Sequence, residues 1–245
     1  MAFYTSVNRY ANNILYRGYT DNGTQITQKY KFEPSLYFPT TENTVFKSFY
    51  GENLRRQKFN SMSAARQKID ERTGIENART YGTRNYSHQF ITEKFPNDIE
   101  FDIRNVNVVN FDIEVASDDG FPDPEHAAYP IISLALKFSK SSVYQVWGLD
   151  AYQPEKREND MKGDLIQYHY CESEYELLVK FMAYWTKNYP DVITGWNTRF
   201  FDIPYLVNRI AALGTTEAMR RLSPWNLVEE RKIKMMSREQ QNSDR

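Results

Sequence analysis

The chain has a single cysteine, Cys171, among its 245 residues. That excludes a disulfide framework and a cysteine-based zinc site. Histidine is scarce as well: His88, His126 and His169 lie far apart and lack the spacing of metal ligands. There is no apolar run of about 18 residues, so no transmembrane helix is expected. The N-terminus has no basic segment followed by an apolar core, so no signal peptide is expected. Internal repeats and low-complexity tracts are missing. Net charge is almost missing too, at −1. This near-neutrality hides an asymmetry. Residues 1–100 carry 14 Lys and Arg against 10 Asp and Glu, whereas the remainder carries 17 against 22. An excess this small does not by itself mark a nucleic-acid surface.

What is present is a globular composition. Hydrophobic residues make up 40% of the chain and aromatic residues 15%. A chain of this length can bury one large core or two small ones. The 18 Tyr and 15 Phe supply rings for packing or for base stacking.

The most informative stretch is Phe111-Asp112-Ile113-Glu114. Val109, Phe111, Ile113 and Val115 alternate with Asn110, Asp112 and Glu114, which is the pattern of a strand. Residues i and i+2 of a strand share a face, so Asp112 and Glu114 project side by side. Two neighbouring carboxylates repel each other. Hard divalent ions such as Mg²⁺ or Mn²⁺, which take oxygen ligands, would remove that penalty. A solvent-facing strand edge that carries two acids is the alternative.

A second segment runs from Asp191 to Leu206 as DVITGWNTRFFDIPYL. Residues 191–196 read as a short strand. Ile203, Leu206, Val207, Ile210 and Leu213 then recur at helical spacing, and Gly214 stands at a C-cap position. Pro204 is tolerated in a first helical turn. Asp202 therefore falls at a helix N-terminus, where the dipole favours an ionised carboxylate. Taken alone, Asp202 could be a plain N-cap and Asn197 a loop residue.

Asp-x-Glu on a strand, followed by Asn-x-x-x-Phe-Asp opening a helix, resembles the first two exonuclease motifs of family B DNA polymerases. The stretches FDIEVAS, GFPDP from Gly120 to Pro124, TGWNTRFFDIPYLVNRI and RLSPW from Arg221 to Trp225 resemble the T-even type of bacteriophage replicative polymerase. The resemblance extends to about residue 236 and corresponds to only the N-terminal part of such a polymerase.

The expected fold class is mixed, α+β and α/β, in two domains. Residues 1–101 read mainly as strands. Residues 10–19 and 25–32 flank the hairpin turn Asp21-Asn22-Gly23, Leu36–Phe38 and Phe46–Tyr50 are short apolar runs, Ser61 caps a helix to Arg72, and a strand is expected near 88–95. The resemblance implies an OB-like domain there, a type that often binds single strands. Residues 102–245 carry expected strands at 106–116, 130–138, 143–149 and 166–170. A helix is expected at 174–188 with a Ser173/Glu176 capping box and a stripe of Leu178, Phe181, Met182 and Trp185; strand 191–196 and helix 203–213 follow. That order is the order of a ribonuclease-H-like fold, here a truncated exonuclease domain with Asp112 on its first, central strand.

The resemblance implies metal-dependent 3′→5′ proofreading of DNA by two Mg²⁺ or Mn²⁺ ions. Asp112 would bridge them, Glu114 would hold one, and Asp202 would support the other. Asn197 would steady its loop or contact the terminal nucleotide, and Phe121 and Phe201 would contact the 3′ end of single-stranded or primer-template DNA, with Phe121 stacking on the frayed end; a partly buried loop aromatic is the alternative for Phe121. For a phage protein, the host cytoplasm is the expected location. The third motif of the family, Tyr-x-x-x-Asp, is missing. After Asp202 the one tyrosine is Tyr205, and four residues on stands Arg209. The polymerase palm motifs are missing as well. Three readings follow: the N-terminal portion of a DNA-directed DNA polymerase, truncated or completed by a second chain; an autonomous exonuclease; or a non-catalytic nucleic-acid-binding module.

Overall fold

A computed structural model describes residues 2–117, 120–153 and 165–230. The expectations for the polar tail beyond residue 230 lie outside the described residues. The chain packs as two units. Of the described residues, the first contains those within 1–109, 138–140 and 190–194, and the second contains the others. Residues 102–109, expected in the second domain, thus belong to the first unit.

In the first unit, β1 (Phe3–Tyr10), β2 (Asn13–Tyr19) and β3 (Gln25–Lys31) form an antiparallel meander. The stretch 10–19, expected as one strand, is broken by a tight turn in which Ala11 adopts φ 51°. The β2–β3 turn has Gly23 at φ 79°, a conformation that glycine reaches without a Cβ clash. A second sheet, in the order β4-β6-β5, contains β4 (Ser35–Pro39), β5 (Phe46–Lys47) and β6 (Asn53–Lys58). Helix α1 (Met62–Arg72) starts where expected, and the Ser61 hydroxyl accepts the Ala64 amide at 3.1 Å. The strand expected near 88–95 is instead helix α2 (Tyr86–Lys94). Asn85 caps it by accepting the His88 amide, and Tyr86, Gln89 and Phe90 recur at helical spacing on its buried face. Tyr16, Leu36, Phe38, Ile69, Tyr86 and Phe90 belong to one buried cluster.

The larger sheet has the order β10-β9-β8-β7-β11, with β7 (Val108–Val115), β8 (Ile131–Phe138), β9 (Val143–Gly148), β10 (Leu165–Tyr170) and β11 (Val192–Thr194). Strand β7 is interior but not central. Among the described residues only the short β11 lies beyond it, so β8 takes the middle. Strands β8 and β9 are antiparallel, and β9 and β10 are parallel.

Helix α3 (Glu174–Trp185) packs on the apolar face of this sheet. The ring centroids of Phe111 and Phe181 lie 6.3 Å apart and those of Trp147 and Phe181 5.7 Å apart. Burying each such side chain is worth about 1.5–3 kcal/mol. Its buried stripe is Leu177, Leu178, Phe181 and Trp185, with Leu177 in the place expected for Met182. The capping box is half formed. Ser173 accepts the Glu176 amide at 3.3 Å, but the Glu176 carboxylate takes the amide of Glu172 rather than that of Ser173. Helices α4 (Asp202–Leu213) and α5 (Thr216–Arg220) complete the second unit.

Candidate active site

Strand β7 alternates as its sequence requires. Phe111 is fully buried and Ile113 nearly so, while Asn110, Asp112 and Glu114 face outward. With α3 against the Phe111 side, the two carboxylates occupy the opposite face.

Asp202 reaches this strand from α4. The residue before it, Phe201, is the N-cap and makes no side-chain capping bond. Asp202 is therefore not spent as a cap. It is 3% exposed, and its Oδ1 accepts the amide of Ile113 at 3.2 Å. Ile113 is the residue between Asp112 and Glu114, so the third carboxylate bonds to the backbone link joining the other two.

The turn into α4 is built for this approach. A Cβ on Gly195 would stand 2.3 Å from the Phe111 carbonyl and 2.6 Å from the Thr198 hydroxyl, so only glycine lets the turn lie along β7. Asn197 adopts φ 55°, and its carbonyl accepts the amides of Phe200 and Phe201, each at 3.0 Å. The turn is thus held by the Asn197 main chain, and Asn197 itself is exposed.

Burial raises the carboxyl pKa values of Asp112, Glu114 and Asp202 above their ordinary range. Repulsion from Asp112 and Asp202 raises Glu114 further. Asp202 also feels Asp112, opposed by the amides that it accepts. One buried and two outward-facing carboxylates that raise one another's pKa are oxygen donors of the kind that hard divalent ions take. The donor type suits such an ion, but among the described residues no three His, Cys, Asp or Glu side chains close into a metal-ligand set.

Phe121 is 79% exposed, and its ring lies 4.8 Å from that of Phe201 at 49°. The ring of Phe201 lies 5.5 Å from Tyr205. The two expected substrate-contacting rings therefore meet. Sequence reasoning missed the groups that hold them there. Arg209 makes two bonds to Glu174, Nε to Oε1 at 2.8 Å and Nη2 to Oε2 at 2.7 Å. Tyr205 and Asn208 bond to the backbone of the loop after Phe121. A legible signal existed: Asp202, Tyr205 and Arg209 recur at i, i+3 and i+7 on one helix face. Tyr205 stands 0% exposed on that face, while Leu213, expected in the apolar stripe, is 42% exposed.

Residues 53–245 match the family model for the DNA polymerase family B exonuclease domain. The chain belongs to this family. It is 30% identical to the DNA-directed DNA polymerase of Escherichia phage RB69 over 91% of its own length and 27% of the relative's. Identity to the DNA-directed DNA polymerase of Enterobacteria phage T4 is also 30%, over 96% of the chain and 28% of that protein. This family B chain thus spans little more than a quarter of those relatives. A solved family B DNA polymerase from Pyrobaculum calidifontis superposes with a TM-score of 0.53 at 20% identity, covering 87% of this chain and 32% of that one, a likeness of fold. Among the described residues no helix is long and apolar enough to cross a membrane.

Proposed function

We propose that this chain is the N-terminal portion of a phage replicative DNA-directed DNA polymerase and carries two of its three 3′→5′ exonuclease motifs. The observation that carries the reading is the bond from the Ile113 amide to Asp202, which brings the second motif onto the strand of the first. In this reading the first unit is OB-like and the second ribonuclease-H-like. The substrate is the 3′ end of single-stranded or primer-template DNA, and the setting is the host cytoplasm.

Asp112, Glu114 and Asp202 would hold two Mg²⁺ or Mn²⁺ ions. When bound, such ions activate water and stabilise a departing 3′ oxygen. The residues of the chain do the rest. Phe121 and Phe201 orient the terminal base, Asn197 fixes the turn that presents Asp202, and α3 keeps water from the far side of β7. These 245 residues hold no Tyr-x-x-x-Asp after Asp202, so one carboxylate and a water-orienting hydroxyl are not supplied by this sequence.

The test is a 3′-labelled oligonucleotide with Mg²⁺ and the chain, alone or mixed with a polypeptide bearing the Tyr-x-x-x-Asp motif. Weak degradation alone, strong degradation in the mixture, and loss of both in Asp112→Ala are expected. Strong Asp112-dependent degradation by the chain alone would favour an autonomous exonuclease. No Asp112-dependent degradation in either arm would sink the reading.

A further inference from the structure

The face of α4 that begins with Asp202 continues as a row of grips on the loop that follows Phe121. Asn208 donates from Nδ2 to the Pro124 carbonyl at 2.8 Å. Arg209 donates from Nη1 to the carbonyls of Ala127 at 3.0 Å and Ala128 at 2.9 Å. The Tyr205 hydroxyl donates to the Tyr129 carbonyl at 2.8 Å and accepts the Tyr129 amide at 3.0 Å. Glu174, the partner of Arg209, accepts the Ile131 amide at 2.7 Å. Four side chains therefore satisfy six backbone groups between residues 124 and 131.

This is more than an irregular loop needs in order to stay on a surface. One residue explains the excess. Ala127 is 1% exposed and sits at φ 43°, a conformation that costs a non-glycine residue free energy and persists only where its surroundings over-determine it. Its own carbonyl and that of Ala128 both accept from one guanidinium. That guanidinium is itself fixed, because Glu174 engages it through two parallel bonds and both side chains are largely buried, at 13% and 11% exposed. An arginine fork can hold a carboxylate and two carbonyls together, whereas a lysine ammonium cannot reproduce that geometry.

We infer that Arg209, seconded by Asn208, is a positioning residue for the terminal nucleotide. It locks the base of the loop carrying Phe121 to the helix whose first turn carries Asp202. The stacking ring and the carboxylate then keep one spacing, so a base stacked on Phe121 presents its phosphodiester to Asp202 without further adjustment. The inference rests on the proofreading reading, through the role of Phe121, and adds to it the device that sets the register.

The test uses the full chain, with Ca²⁺ present, and a short thymidine oligonucleotide ending in a 3′ 2-aminopurine, whose fluorescence falls on stacking. An internal 2-aminopurine is the control. Wild type, Phe121→Ala, Arg209→Lys and the double variant form a cycle, and amide exchange at Tyr129 and Ile131 reports the clamp directly. Asn208→Ala, which removes one bond, repeats the cycle if Arg209→Lys fails to fold. Phe121→Ala is expected to weaken terminal binding about tenfold, the range of a base–aromatic stack. In the Arg209→Lys or Asn208→Ala background that factor should fall towards one, with faster loop exchange and the internal probe unchanged. Faster loop exchange with the Phe121 factor intact overturns the inference and leaves proofreading standing. A wild-type chain with no Phe121-dependent quenching overturns the stacking role itself, and the inference with it.

Discussion

Asp191 and Asp202 are both acids held against a strand, and they are treated in opposite ways. Asp191, in the first unit, has a side chain 0% exposed. It accepts the Thr5 hydroxyl at 2.9 Å, the Tyr19 hydroxyl at 2.5 Å, Gln25 Nε2 at 3.0 Å and the Asn107 amide at 2.9 Å, and Arg17 Nε lies 3.4 Å away. Asp202, in the second unit, accepts the Ile113 amide, feels the charge of Asp112, and in turn raises the pKa of Glu114. A buried charge surrounded by donors and a cation holds structure together, whereas one surrounded by other anions costs stability that an ion can recover. The contrast separates a structural acid from a site acid better than burial alone, which the two share.

The largest effect expected from this contrast is at Asp191. Asp191→Ala removes the acceptor from four donors and should destabilise the chain by about 3–5 kcal/mol, as read by urea unfolding. Divalent-ion affinity of the folded fraction should not change. A loss under about 1 kcal/mol would mean that the network is no better than a surface arrangement.

The next effect is at Asp202, where substitution separates two roles. Asp202→Ala leaves the buried Ile113 amide without its acceptor and should cost about 1–3 kcal/mol. Asp202→Asn keeps a carbonyl oxygen for that amide, removes the charge, and should cost less while weakening Mg²⁺ or Mn²⁺ binding as much. Equal stability of the two variants would show that the bond to Ile113 carries no weight.

The sequence made the second unit more legible than the first, for physical reasons. Strand β7 has one buried and one exposed face, so its alternation is sharp and Asp112 and Glu114 fall unambiguously together. Helix α4 has a glycine stop and an apolar stripe, so the span 203–213 could be read off to within one residue of the observed Asp202–Leu213. Helix α2 could not, because nine residues give too few turns for periodicity to outweigh a short apolar run, and Asn85 was the signal overlooked. The Asp191 network was invisible for another reason. Its members, Thr5, Arg17, Tyr19, Gln25, Asn107 and Asp191, are scattered along the chain, and no spacing rule links them. The Arg209 clamp lies between. Its helix face was legible, but its targets are backbone carbonyls, which carry no sequence signature.

The smallest effect has the opposite sign, and it is the sharpest test of the contrast. Asp112, Glu114 and Asp202 have carboxyl pKa values raised in the folded chain, chiefly by burial. A raised folded value means that the native state holds the proton more tightly than the unfolded chain does. The stability it contributes is present at pH below the ordinary carboxylate range and is lost as pH climbs through the raised values. Without divalent ions, Asp112→Asn and Glu114→Gln should therefore stabilise the chain at neutral pH, while Asp191→Asn destabilises it. Asp112 and Glu114 are partly open to solvent, which screens the repulsion, so the gain should be only a few tenths of a kcal/mol. It should vanish near pH 3, where the wild-type acids are protonated as well. Saturating Mg²⁺ should reverse it, because an ion that binds the native state stabilises wild type more than the variants. The measurement is thermal unfolding of wild type and each variant from pH 3 to pH 8, with Mg²⁺ and with EDTA. If Asp112→Asn lowers the melting temperature in EDTA at neutral pH, the carboxylates do not repel one another, and the ground for reading them as a metal site is gone.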